Sequence, residues 1–229
     1  MNDTNYHALM EKIGYIFKDE AIFTHALTHS SFSNETKMPK LSDNERLEFL
    51  GDAVLELVSS DFLYRNYPDY PEGEMSKLRA ALVCEPTLAD VSKSLGIPDF
   101  IRMSIGEEKT GGRDLKSITS DALEAVIGAI YLDGGIEPAR EFILKYILTD
   151  IEERKLFHDS KTVLQEKIQG KNLGKLAYVE TEESGPDHNK TFCINATLNG
   201  KIIGRGTGHS KKAAEQEAAY NALKTCKLF

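Results

Sequence analysis

One stretch constrains the fold before anything else. Ser120 to Leu132, reading SDALEAVIGAIYL, is apolar on nearly every side. A helix that is apolar all round offers water no face and must sit inside a shell of other elements. Only Asp121 and Glu124 break the pattern, three residues apart and so on one face. Ala122, Ala125, Gly128 and Ala129 lie on or near that face, small enough to let another helix approach closely. No Lys or Arg occurs between Lys116 and Arg140. A buried carboxylate without a partner is costly, so this pair must be protonated, paired from elsewhere, or bound to a cation. A role at the helix dipole suits Asp121 but leaves Glu124 unexplained.

A second acidic helix is written at 44–56, NERLEFLGDAVLE. At the helical period, Leu47, Leu50, Val54, Leu57 and Val58 form one apolar stripe. Glu45, Glu48, Asp52 and Glu56 fall in an adjoining arc of roughly 80°. After Arg46 no basic residue appears until Arg65. Taken alone, a solvated acidic face is the simpler reading, and Ser42-Asp43-Asn44-Glu45 has capping-box spacing, which gives Glu45 a structural task. Beside the buried pair the balance changes. Glu48, Asp52, Asp121 and Glu124 together make an all-oxygen set suited to Mg²⁺, with Mn²⁺ as a substitute. Along the helix Glu45 stands ~10 Å from Asp52, whereas Glu48 and Asp52 are ~6 Å apart. Glu48 and Asp52 are therefore expected in the inner site and Glu45 at its margin.

Helical spacing covers 5–17, 19–28, 43–66, 74–94, 117–132 and 137–153, with strand-like alternation nearly absent before residue 150. The polar stretch 149–160 marks a boundary, and the chain divides into a domain at 1–150, a flexible linker at 151–157 and a second domain at 158–229. In the latter, 161–170 reads as helix, and Phe192, Ile194, Ala196 and Leu198 alternate as in a strand. Asn199-Gly200 signals a hairpin, and Lys201 to Thr207 supplies the next strand. Residues 211–226 return to helix, with Ser210 as the N-cap. The fold class is α+β overall: an all-α first domain and a small α+β second one. Gly204-Arg205-Gly206-Thr207-Gly208 lacks the setting of a phosphate loop and reads as a turn. His25 and His29 have the spacing of a zinc pair but no third ligand, and no nucleophile–histidine arrangement stands out.

The net charge of −8 at first argues against a nucleic-acid partner, but it is unevenly spread. Residues 1–157 hold 17 Lys and Arg against 28 Asp and Glu, giving −11; residues 158–229 hold 11 against 8, giving +3. A basic segment on an acidic one suggests two tasks, phosphate at one end and cations at the other. Lys211 and Lys212 open a helix, where ammonium groups oppose the dipole; a bound phosphate relieves that conflict. No run approaches the ~18–20 apolar residues that span a bilayer, so no membrane partner is expected. No secretory leader is visible, and Cys84, Cys193 and Cys226 form neither a zinc knuckle nor a disulfide framework, which favours the reducing cytoplasm.

At these residues a resemblance becomes specific. Asn44 to Leu55 (NERLEFLGDAVL) is similar to the signature of the ribonuclease III family, and EGEMSKLRA at 72–80 and Gly111-Gly112-Arg113 followed by DALEA at 121–125 agree with it. The likeness covers essentially the whole chain, in the order of the bacterial enzyme. It implies metal ligation by Glu48, Asp121 and Glu124, with Asp52 and Glu124 essential for catalysis and Glu45 and Glu72 as accessory acids near the cleft. It implies divalent-metal hydrolysis of both strands of duplex RNA, leaving 5′-phosphates and short 3′ overhangs, in the processing of structured precursor rRNA and mRNA. Phe49 stands where the family uses an aromatic at a symmetric contact, which implies a homodimer. Thr119-Ser120 departs from the apolar or small residues usual before Asp121, without touching an acidic position. The second domain resembles a double-stranded-RNA-binding domain of α-β-β-β-α form. That likeness assigns Gln165 and Glu166 to the minor groove and 2′-hydroxyls, Gly185, Pro186 and His188 to the next minor groove, and Ser210, Lys211 and Lys212 to the intervening phosphates. The rival reading is an RNA-binding scaffold on a dead nuclease fold; such a chain should have lost one of the four acids, and all are present.

Overall fold

A computed structural model describes residues 6–184, 190–208 and 210–225. It divides into two compact units, 1–149 and 150–229.

The first unit is helical: α1 (Tyr6–Ile13), α2 (Glu20–Ala26), α3 (Ser30–Glu35), α4 (Glu45–Asn66), α5 (Glu72–Leu82), α6 (Glu85–Leu95), α7 (Ile105–Lys109), α8 (Lys116–Gly134) and α9 (Ile136–Tyr146). Its only strand-like pairing among the described residues is a single bridge between Thr28 and Arg102. Helix α8 is the central element. Ala122, Leu123, Ala125, Val126, Ile127, Ala129 and Ile130 are all fully buried, as an all-round apolar helix requires. The run expected at 74–94 is broken: Cys84 is extended, and Pro86 lies in the first turn of α6. Pro86 has no N–H to give to the preceding turn and its ring would collide with that turn's carbonyl, so α5 must end before it. The expected 137–153 helix likewise stops before Asp150, whose φ is +50°.

Helix α4 packs on α8 through bare backbone. A methyl group placed on Gly51 would lie 1.8 Å from the Glu124 carbonyl oxygen, and one on Gly128 would lie 2.2 Å from that of Leu47. Each helix supplies a glycine to the crossing, so two backbones meet where most helix pairs are held apart by side chains. Of the stripe expected on α4, Leu47, Val54 and Val58 are buried with Leu55, but Leu57 is not; it faces outward. The capping box at 42–45 is also absent, since α4 starts at Glu45 with Asn44 as an N-cap that makes no side-chain bond.

The second unit holds α10 (Ile151–His158), α11 (Ser160–Gly170), β1 (Leu176–Ser184), β2 (Thr191–Leu198), β3 (Lys201–Gly208) and α12 (Lys211–Thr225). The strands form one antiparallel sheet in the order β1-β2-β3. Leu164, Ile168, Ala196, Leu198, Ala218, Ala219 and Ala222 make its core. Residues 151–157, expected as a linker, are helix α10 instead. Phe157 meets Tyr220 edge to face at 5.2 Å, and Glu153 pairs with Lys224. The glycine run at 204–208, weighed as a turn, belongs to β3, in line with the strand expected over Lys201 to Thr207. Methyl groups on Gly204, Gly206 or Gly208 would run into the α12 backbone at Ala218, Ala214 and their neighbours, so the glycines admit the helix onto the sheet. The hairpin at Asn199-Gly200 has positive φ at both residues, the condition of a tight two-residue connection.

Candidate metal centre and nucleic-acid interface

The glycine crossing sets the site. With α4 and α8 in backbone contact, Gly51 lies against Glu124 and Gly128 against Leu47, so acids of both helices stand beside the crossing. Glu48, Asp121 and Glu124 each offer a carboxylate oxygen there, all within 4.8 Å of one another. All three are half-buried. Among the described residues no Lys or Arg forms an ion pair with them. Burial raises Glu124 to about 8, and the charges of Asp52, Asp121, Glu48 and Glu56 push the same way. Burial, then Asp121, Glu45 and Asp52, raises Glu48 to about 6. Asp121 is raised by burial despite a bond from Ser120. Three carboxylates that resist ionising side by side lack a positive charge among them, and a hard divalent cation is the ligand such a donor set suits.

The other acidic positions separate. Asp52 is exposed and outside the three-oxygen group, but its charge reaches both Glu48 and Glu124. Glu45 is exposed at the start of α4 and acts on Glu48. Glu56 is held elsewhere: Arg79 of α5 pairs with it at 2.8 Å and donates to Ser60 at 2.6 Å. Glu72 is not among the charges acting on the cluster. It accepts from Ser76 at 2.7 Å and lines a groove of about 520 Å³ with Leu57, Tyr64, Met75 and Arg79. Phe49 is 79% exposed, and Leu57 (60%) and Tyr64 (74%) share its side of α4. Two residues the sequence did not single out for this site, His29 and Glu85, act electrostatically on Asp121. His29 caps α3, its Nδ1 2.8 Å from Ser31 Oγ, and His25 bonds to the Asp43 carbonyl at 2.6 Å, so the two histidines serve separate structural bonds.

On the second unit Gln165 and Glu166 are exposed on α11. Ser210 Oγ accepts from the Ala213 N–H at 3.2 Å and so caps α12. Lys212 is exposed and has no ion-pair partner among the described residues. Lys211 is not a simple solvated lysine, since its Nζ lies 2.7 Å from Glu180 of β1. Gly185, Pro186 and His188 lie outside the described residues.

Comparison with known proteins bears on this geometry. Residues 19–151 match the Ribonuclease-III-like family model, and residues 160–225 match the double-stranded RNA binding motif. The chain belongs to the ribonuclease III family. It is 48% identical over 218 residues to Ribonuclease 3 of Pelotomaculum thermopropionicum, covering 94% of this chain and 90% of that one. It is 49% identical to Ribonuclease 3 of Caldanaerobacter subterraneus, covering 94% and 95%. The nuclease domain of ribonuclease III from Campylobacter jejuni is similar in structure, with a TM-score of 0.59 and 49% identity over 62% of this chain and 96% of that one. Membership makes the chain a ribonuclease III type endoribonuclease acting on double-stranded RNA, with the helical unit as nuclease and the α+β unit as RNA-binding motif. No helix among the described residues is long and apolar enough to cross a membrane.

Proposed function

We propose that this endoribonuclease uses Mg²⁺ held by Glu48, Asp121 and Glu124, with Asp52 and Glu124 essential for cleavage, and that Mn²⁺ can replace Mg²⁺. The observation that carries the reading is the convergence of three half-buried carboxylate oxygens within 4.8 Å with no basic partner among the described residues. A divalent cation bound there supplies an activated water and charge stabilisation for the leaving oxygen of a phosphodiester. The chain's own residues do the rest. Glu48 and Asp121 hold one side from each helix, and Glu124, the most strongly perturbed, is drawn towards its ionised form by arriving positive charge. Asp52, solvated at the mouth, can accept a proton from water entering the site. Glu45 and Glu72 remain accessory acids. On the binding unit, Gln165, Glu166 and the loop bearing Gly185, Pro186 and His188 face successive minor grooves, while Ser210, Lys211 and Lys212 meet the backbone between them.

The working form is a homodimer. The exposed Phe49, Leu57 and Tyr64 make an apolar face on α4 that a second copy would cover. The Campylobacter structure is described by its region involved in dimer formation, which is consistent with this reading. Two centres, one for each RNA strand, give the two-fold arrangement a purpose. The natural setting is cytoplasmic processing of structured precursor rRNA and mRNA. Incubating a long RNA duplex with the protein tests the chemistry. Short duplexes with 5′-phosphates and 3′ overhangs should form in Mg²⁺ and not in EDTA. Metal-independent products, or products bearing 5′-hydroxyls, would reject it.

A further inference from the structure

The basic end of the RNA-binding unit is already engaged by the unit's own carboxylates. Lys211, the first residue of α12, reaches across to β1, where Glu180 Oε2 lies 2.7 Å from its Nζ. Its ammonium also lies over the Phe192 ring, 5.7 Å from the ring centre. Lys190 makes a second pair on the same strand, at 2.8 Å from Glu183, and Glu183 adds its charge to the field at Lys211. Lys161 is likewise paired, with Glu215. Lys211 is 60% exposed and Glu180 33%, so the ammonium is open to solvent while paired.

We propose that Glu180 is a built-in competitor for RNA phosphate at Lys211, so that duplex RNA engages this lysine only by displacing or tolerating a carboxylate. The proposal rests on the assignment of Lys211 to the RNA backbone. A carboxylate and a phosphate offer the same chemistry to an ammonium group, an anionic oxygen at about 2.7–2.9 Å. When a phosphate arrives, Glu180 either loses its partner or remains as a negative charge beside a polyanion. Both outcomes cost affinity. Lys212, unpaired among the described residues, pays no such cost, which divides the two neighbouring lysines into a free anchor and a conditional one. The carboxylate also lowers the effective number of phosphates neutralised. Binding should therefore depend less on salt than the count of lysines implies.

The test is duplex-RNA binding by the full-length protein in EDTA, where the nuclease is silent, measured by fluorescence anisotropy across a salt series. Glu180→Gln keeps the side chain's shape and removes its charge. It should tighten binding about threefold and steepen the salt slope by about one unit. Lys211→Ala should weaken binding, and adding Glu180→Gln to Lys211→Ala should recover less than Glu180→Gln gains in the wild type. If Lys211→Ala weakens binding but Glu180→Gln leaves it unchanged or weakens it, the competitor is refuted while the RNA-contact assignment stands. Glu180→Gln tightening binding equally in the Lys211→Ala background would reduce the effect to general charge and also refute it. If Lys211→Ala changes nothing, the contact assignment itself fails and the proposal falls with it.

Discussion

Gly51→Ala is the sharpest probe of how the fold makes the site. The added methyl would meet the Glu124 carbonyl oxygen at 1.8 Å and its carbon at 2.6 Å, both backbone atoms that no rotamer change can move aside. Bringing 1.8 Å out to the 3.4 Å of ordinary contact means that α4 and α8 part by about 1.6 Å at this point. Overpacking of this kind costs about 1–3 kcal/mol, set against the ~0.5–1 kcal/mol that Ala gains over Gly in a helix interior. Urea denaturation should therefore show a net loss of about 1–2 kcal/mol. The functional loss should be larger. Glu48 and Glu124 sit within a turn of the crossing, and a shift of ~1 Å in reacting groups can cost about a hundredfold in rate. Single-turnover cleavage of a duplex under saturating Mg²⁺ should fall by about that factor, with RNA affinity in EDTA unchanged. Gly73→Ala, whose methyl meets nothing within 4 Å, should behave as wild type. Gly128→Ala should resemble Gly51→Ala, and the two together should cost less than their sum, because helices already parted accommodate the second methyl. Wild-type stability and cleavage in Gly51→Ala would show that the two backbones do not meet as described.

Glu124→Ala should abolish detectable cleavage while filter binding to duplex RNA stays near wild type; appreciable turnover in Mg²⁺ would reject its role. In metal-free protein, Glu124 and Glu48 are raised from 4.5 to about 8 and about 6, so the folded state holds protons that the unfolded chain releases. The stabilising contribution of these two protonated groups should then be fully present below about pH 4.5, decline as pH rises through 6 towards 8, and be gone above that. Melting curves in EDTA should show this decline, Glu124→Gln should remove its upper part, and Mg²⁺ should recover most at alkaline pH; a flat wild-type profile contradicts the shifts. Phe49→Asp should shift the protein from dimer to monomer in sedimentation at micromolar concentration, and an unchanged mass would refute the proposed interface.

Much of this was legible in the sequence wherever a pattern needed no distant partner. The 120–132 helix announces its burial by lacking a polar face, and the absence of nearby Lys or Arg announces that Asp121 and Glu124 need something else. The hairpin at Asn199-Gly200 follows from two residues that tolerate positive φ. Most of the failures depend on residues remote in the chain. Glu56 has the same helical phase as the site acids but is taken away by Arg79 on the next helix. Helix α10 looks like linker because its order comes from Tyr220, Lys224 and Gln216. The 204–208 glycines read as a turn because close approach to α12 leaves no local mark. Lys211 looked free because Glu180 lies on another element. Helix α3, only six residues long, is too short for any period to be read.

Helix α4 joins these threads, since three different surfaces run along it. Leu47, Gly51, Val54, Leu55 and Val58 face the core. On helical phase, Glu45, Glu48 and Asp52 take the next arc, and Phe49, Ala53, Leu57 and Tyr64 the arc beyond. The acidic arc is thus bounded on one side by the glycine crossing with α8 and on the other by the exposed apolar face. A second copy covering that face would border the acidic arc directly and withdraw it further from water. Burial already dominates the shifts of Glu48 and Glu124, so such an assembly would raise the cost of leaving these carboxylates without a cation. Dimer formation and metal affinity would then be coupled through a single helix, with no separate relay between them.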